Sequence, residues 1–117
     1  MQVNPERNCT QHGQMNTSTT DGGCHIVYYN WENGMVTLSF DNAIITNSFT
    51  TSTEKCVAEL IGAEPLYTTW FVMNSNGIAI PCRFETNGKV YMCNYTGQDL
   101  SNVNFYGEVS YARANPI

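Results

Sequence analysis

The chain is poor in charge. Only 13% of its 117 residues are Asp, Glu, Lys or Arg, against about a quarter in an average globular chain. That shortage excludes a coiled coil, whose exposed positions need interleaved acids and bases. Positive charge is scarcer still. Five Lys and Arg stand against ten Asp and Glu, a net charge of −5, so a phosphate backbone is repelled rather than gathered and a nucleic-acid partner is not expected. Long apolar runs are absent too. None approaches the roughly 20 residues a spanning helix needs, and the opening MQVNPERNCTQ lacks the apolar stretch of a secretory signal. Membrane insertion is therefore not expected.

Uncharged polar residues take the place of charge. Asn, Thr and Ser fill 34 of the 117 positions; Thr suits a pleated surface, while Asn and Ser suit turns. At this length one hydrophobic core is the expectation. The composition thus describes a weakly acidic β domain with a polar surface.

The cysteines are Cys9, Cys24, Cys56, Cys82 and Cys93, an odd number without a CxxC pair, unlike a dense secreted disulfide framework. Cys56, Cys82 and Cys93 lie in apolar runs and read as small buried hydrophobes. Cys9 with His12 and Cys24 with His25 offer four zinc-ligating atoms, but neighbours in an extended strand point to opposite faces, which weakens that set. A Cys9 to Cys24 disulfide is the other reading. Neither a metal nor any other cofactor is expected. The sequons at Asn8, Asn16 and Asn94 are read as chance triplets in a chain so rich in Asn and Thr.

Residues 1–23 carry almost no large apolar side chain and show no period of 2 or 3.6, so they are expected to form a polar arm or linker. A polar leader running into a compact domain is the pattern of a domain cut from a longer protein. From Cys24 strict alternation sets in: Val27, Tyr29 and Trp31 fall on one side, and Ile26, Tyr28 and Asn30 on the other. Then comes Asn33-Gly34, the preferred pair for a two-residue type I′ hairpin, because both central residues need positive φ. Folding back about it sets Trp31 opposite Val36, Tyr29 opposite Leu38 and Val27 opposite Phe40, one apolar face from six residues.

The stretch 41–53 reads as a loop with a short apolar interruption at Ala43-Ile44-Ile45, a strand edge or a crossing segment. Thr51-Ser52-Thr53-Glu54 matches a capping box, and Cys56, Val57, Leu60 and Ile61 then fit a short amphipathic helix ending at Gly62. The same residues alternate as a strand through Cys56, Ala58 and Leu60. Residues 66–73 and 77–85 read as strands, with Pro81 marking an edge or a bulge. Lys89 to Tyr95 returns after Thr86-Asn87-Gly88. A two-residue loop there sets Cys82 against Cys93 in a hydrogen-bonded pair, an unfavourable place for a disulfide, whereas a three-residue loop with Gly88 as a bulge misaligns them. Val103, Phe105, Gly107, Val109 and Tyr111 alternate in a closing strand. About seven short strands in an antiparallel β-sandwich, jelly-roll-like, is the expected fold, occupying residues 24–117.

The run Tyr28 to Val36 resembles the opening strand, aromatic and Asn-Gly turn of the C-terminal head domain of tailed-phage tail-fibre and receptor-binding proteins. In the same order, Cys56 to Pro65, Gly77 to Ile80, Thr86 to Tyr91 and Asn104 to Tyr111 resemble that family's later strands and hairpin. Residues 25–112 are covered, and the order and spacing carry the resemblance. Leu60 is followed by Ile61 where the family has Pro, and its Gly-Tyr pair is absent. The resemblance implies a strand at 56–61. It also implies a homotrimer at the tip of a fibre, located in the virion and acting outside the cell, that binds a host surface saccharide or protein without catalysis.

Catalytic chemistry has little to stand on. His12 and His25 are the only near-neutral bases, and Asp41, Glu54, Glu59, Glu64 and Asp99 are scattered, as solvated surface charge usually is. For binding, Tyr28, Tyr95 and Tyr106 fall outside the inferred apolar faces, near Asn30, Asp99, Asn102 and Asn104. Aromatic faces beside short amide and carboxylate groups suit sugar recognition, and these seven residues are the candidate site. The other readings are packing of these tyrosines against a neighbouring subunit, a structural trimerising fibre cap without its own ligand, and a secreted adhesin-like domain of a cell.

Overall fold

Val36, Leu38 and Phe40 alternate with Thr37 and Ser39, so one side of this segment is apolar and the other hydroxylated. Such a strand can face a core in only one way. The computed structural model describes residues 9–46, 48–101 and 103–114, with side chains from His12 onward, and in it Val36, Leu38 and Phe40 are buried to within 2% exposure. The described residues form eight strands: β1 (Cys9–Ser18), β2 (Gly22–Trp31), β3 (Met35–Ile45), β4 (Glu54–Glu59), β5 (Thr69–Ser75), β6 (Ile78–Phe84), β7 (Lys89–Cys93) and β8 (Asn104–Ala112). The all-β antiparallel expectation holds, with one strand more than expected.

The strands form one sheet in the order β1-β2-β3-β8-β5-β6-β7-β4. Two three-stranded meanders, β1–β3 and β5–β7, are joined through β8, and β4 flanks β7. The sheet curls until its ends nearly meet. There, Thr19 Oγ1 donates to the Cys56 carbonyl at 2.6 Å, Glu59 N–H to Thr17 Oγ1 at 3.3 Å, and the Cys24 thiol to the Val57 carbonyl at 3.3 Å. Side-chain bonds thus span the seam in place of a backbone ladder. Lys55 and Asp21 add an ion pair at 3.5 Å across it. Inside lie Ile26, Leu38, Phe40, Met73, Ile80, Phe84, Met92 and Phe105, all at most 1% exposed, each contributing about 1.5–3 kcal/mol by burial.

The segment expected to be a polar arm supplies β1, an edge strand paired with β2 from Cys9 to Ser18. Its polarity fits that place, since backbone hydrogen bonds hold it and, from His12 onward, Gly13, Met15 and Thr17 are the residues that turn inward. Residues 1–8 lie outside the described residues. The same register sets Cys9 beside Trp31 and Thr17 beside Cys24. Cys9 and Cys24 are therefore seven strand positions, roughly 23 Å, apart. Neither a disulfide, which needs Cα atoms within about 7 Å, nor a zinc site joining both cysteines is possible.

The first hairpin is displaced by one residue from the expected register. Asn30 faces Val36, Tyr28 faces Leu38 and Ile26 faces Phe40. Gly34 has φ +85° while Asn33 keeps negative φ, and Gly34 N–H donates to the Trp31 carbonyl at 3.1 Å, giving a three-residue loop closed by a glycine bulge. Val27, Tyr29 and Trp31 consequently face outward and Tyr28 and Asn30 inward, the reverse of the expectation. The Asn87-Gly88 hairpin uses the same loop: Gly88 N–H donates to the Glu85 carbonyl at 2.9 Å, and Cys82 pairs with Met92.

Residues 41–45 continue β3 with Ala43 and Ile45 buried, so the apolar interruption expected as a strand edge or crossing segment is strand, and Asp41 and Asn42, expected as loop, join it. Residues 54–59 are a strand, with a bulge between Cys56 and Ala58. Pro81 lies neither on an edge nor at a bulge, because β6 is flanked by β5 and β7. Ser75 and Ile78 close the turn before β6, so Val72 and Pro81 form a non-hydrogen-bonded pair, and the missing donor falls on the β7 side. The β6–β7 ladder ends one residue short of it, at Cys82. At the junction of the meanders, β5 meets β8 at only Met73↔Gly107 and Asn74↔Tyr106. A Cβ on Gly107 would lie 2.7 Å from the Val72 carbonyl oxygen, so this crossing requires glycine.

Candidate functional site

Three consequences of the fold sort the seven candidate residues. Alternation turns Asn104 and Tyr106 outward at the start of β8, each exposed. Pairing with β5 brings Asn74 beside Tyr106. The two-residue turn after β5 then lifts Asn76 and Gly77, both at positive φ (47° and 84°), to the same end of the sheet. Together they border a cleft of about 610 Å³ lined by Asn74, Ser75, Asn76, Val103, Asn104 and Tyr106. Among the described residues no charged side chain lines it. It offers three carboxamides, a hydroxyl and half of a phenol ring.

The other candidates are elsewhere. Tyr28 faces inward, half-buried over Gly13, and Asn30 is 6% exposed; the register of the first hairpin removes both from the surface site. Asn102 lies outside the described residues. Asp99 is spent on local structure, its Oδ1 accepting from Thr51 N–H at 2.9 Å. Tyr95 is exposed in the loop after β7, and Asn94, beside it, is fully buried. The Asn94 amide donates to the Phe49 and Gln98 carbonyls at 2.7 and 3.0 Å, which commits this sequon's nitrogen to the fold.

Tyr95 belongs to a second constellation, built on the outward face of β6. Arg83 donates through Nη1 and Nη2 to the two carboxylate oxygens of Glu54 at 3.0 and 2.7 Å, and through Nε to Glu85 at 2.8 Å. Its guanidinium sits 5.6 Å from the Trp70 ring centre and 5.0 Å from that of Tyr91. The Tyr95 hydroxyl donates to Glu54 at 3.4 Å. The hydrogen bonds from Arg83 hold the Glu54 carboxyl below its ordinary pKa, and those to Glu54 and Glu85 raise that of Arg83. This cluster sets one guanidinium against two carboxylates and holds Trp70, which remains 56% exposed.

The thiols suit interior packing. Burial pushes Cys24 and Cys82 up to about 12, which keeps them protonated and unreactive at neutral pH. Among the described residues no group of three or more His, Cys, Asp or Glu is placed to hold a metal. Sequence reasoning passed over Asn74, Asn76 and the Arg83 clamp. A signal for the first two was present in Asn76-Gly77, an Asn-Gly pair between two apolar runs; the clamp joins residues far apart in sequence and had none. No protein-family model matches the chain, and no curated protein matches it.

Proposed function

We propose that the chain is a non-catalytic receptor-binding head, of the kind carried by phage tail fibres, that attaches to a saccharide on a host cell surface. One observation carries the reading: the cleft at the β5–β6 turn and the start of β8 is uncharged and walled by the phenol of Tyr106 and the carboxamides of Asn74, Asn76 and Asn104. Sugar rings present CH faces that stack on an aromatic wall and hydroxyls that pair with amide donors and acceptors. A charged ligand finds no counter-ion there among the described residues. On this reading the protein acts at the virion surface as a homotrimer, and the exposed face carrying Trp70 and Val72 packs against a neighbouring copy.

A glycan array probed with the purified protein tests the site. Binding that is lost in Tyr106→Ala, with an unchanged melting temperature, is the expected result. Binding retained by both Tyr106→Ala and Asn104→Ala, or adhesion only to protein receptors, overturns it. Light scattering tests assembly separately, and a monomer removes the fibre-tip part of the proposal.

A further inference from the structure

Three Asn-Gly pairs turn hairpins in this chain: Asn33-Gly34, Asn76-Gly77 and Asn87-Gly88. An asparagine followed by glycine carries its own electrophile and nucleophile. The side-chain carboxamide carbon lies one ring closure from the next backbone nitrogen, and glycine has no Cβ to obstruct the approach. The fold treats the three pairs unequally. In the first and third, both reacting groups are engaged. Gly34 N–H donates to the Trp31 carbonyl at 3.1 Å and Gly88 N–H to the Glu85 carbonyl at 2.9 Å. Asn33 Oδ1 accepts from Met35 N–H, and Asn87 Oδ1 from Lys89 N–H, each at 3.0 Å. These bonds tie each carboxamide oxygen to the first residue of the strand that follows and restrict its rotation.

The middle pair has a different turn. Ser75 and Ile78 close a two-residue loop with both central residues at positive φ, and in that turn the second central N–H points into solvent. Among the described residues nothing accepts from Gly77 N–H and nothing binds the Asn76 carboxamide. Both residues are exposed, and the space over Gly77 is open.

We infer that Asn76 is a site of spontaneous deamidation, chosen by the fold over Asn33 and Asn87. The Gly77 nitrogen, having lost its proton to solvent base, attacks Asn76 Cγ. The N–Cγ bond forms, the Cγ–Nδ2 bond breaks, and ammonia leaves with a proton, closing a succinimide. Water then opens the ring. Addition at Cγ gives aspartate with the original backbone; addition at the backbone carbonyl gives isoaspartate, with the chain routed through the side chain. One water is consumed, one ammonia is released, and no electrons change hands. Either product places a carboxylate in a cleft that holds only neutral groups. The isoaspartate also adds one carbon to a turn with no slack, so the cleft ages into an anionic form. This inference is independent of what the cleft binds.

The test uses the intact protein aged at mildly alkaline pH in heavy-oxygen water, then digested and analysed by mass spectrometry for each of the three peptides. Label is expected at position 76 roughly tenfold or more faster than at 33 or 87, because those two sites must first break hydrogen bonds. In denaturing urea the three rates are expected to converge, since glycine follows the asparagine in each. Equal rates in the folded protein, or faster conversion at 33 or 87, overturn the inference. So does a preference for 76 that survives in urea, which assigns the effect to local sequence.

Discussion

The two meanders have the same strand order and opposite outer faces. On β1–β3 the outward aromatics cover one another: His12, Tyr29 and Trp31 stack in sequence at 6.1 and 5.8 Å between ring centres. Trp31 Nε1–H donates to Thr37 Oγ1 at 2.9 Å, and Thr37 and Ser110 share a 2.7 Å hydroxyl bond. On β5–β7 the outward aromatics are held but left open. Trp70 is 56% and Val72 47% exposed, and among the described residues the large hydrophobics that remain exposed lie between Ile61 and Val72 or at Tyr95 and Tyr106. One meander spends its outer face on itself, and the other presents it. Exposed apolar residues are ordinary on a folded surface, so the contrast lies in how each outer face is covered.

The largest effect comes from breaking what the meanders share. Phe84 is fully buried and meets Tyr111 edge-on at 4.9 Å, linking β6 to β8. Phe84→Ala is expected to cost about 3–5 kcal/mol, read as a shift of the urea midpoint. A loss below about 1 kcal/mol would mean that the two halves do not press on one core.

A smaller effect separates the outer faces. Trp31→Ala removes a stack and the bond to Thr37, for an expected loss of about 1–2 kcal/mol. Trp70→Ala changes a half-exposed ring and is expected to stay within about 0.5 kcal/mol. Thermal melts of the two variants side by side measure the contrast, and equal losses would erase it.

What was legible in the sequence follows the same division. β8, and β3 as far as Phe40, alternate apolar with polar residues on one side only, and the structure has both as expected. β2 is apolar on both sides, since Cys24, Ile26 and Tyr28 match Val27, Tyr29 and Trp31 in hydrophobicity. Its register therefore rested on the turn, and the turn was misassigned. Asn-Gly supports a two-residue loop or a three-residue loop with a glycine bulge equally well, and the choice depends on which faces can be buried together. Among the three pairs only Asn76-Gly77 took the type I′ form. β1 was illegible for a different reason: an edge strand is held by ladder hydrogen bonds and leaves little apolar signature. Of the candidate site, Tyr106 and Asn104 were readable because β8 is one-sided, whereas Tyr28 and Asn30 inherited the error in β2.

The smallest effect concerns the ion pairs that hold the presented face. The Glu54 side chain is 34% exposed, and its hydrogen bonds from Arg83 hold its pKa below the ordinary value. A folded-state pKa below the unfolded one contributes stability that is present above the unfolded pKa of about 4.3. It is lost as pH falls through the folded value. Solvent screening limits the pair to about 1 kcal/mol or less. Arg83→Met is accordingly expected to lower the urea midpoint at neutral pH, with the difference from wild type shrinking as pH falls below the ordinary carboxylate range. The methionine keeps an apolar stem against Trp70 and Tyr91, so the pH-dependent part of the difference reports the carboxylate bonds. A difference that is constant from neutral to acid pH assigns the whole contribution of Arg83 to its stacking between the rings. The presented tryptophan is then held by packing alone.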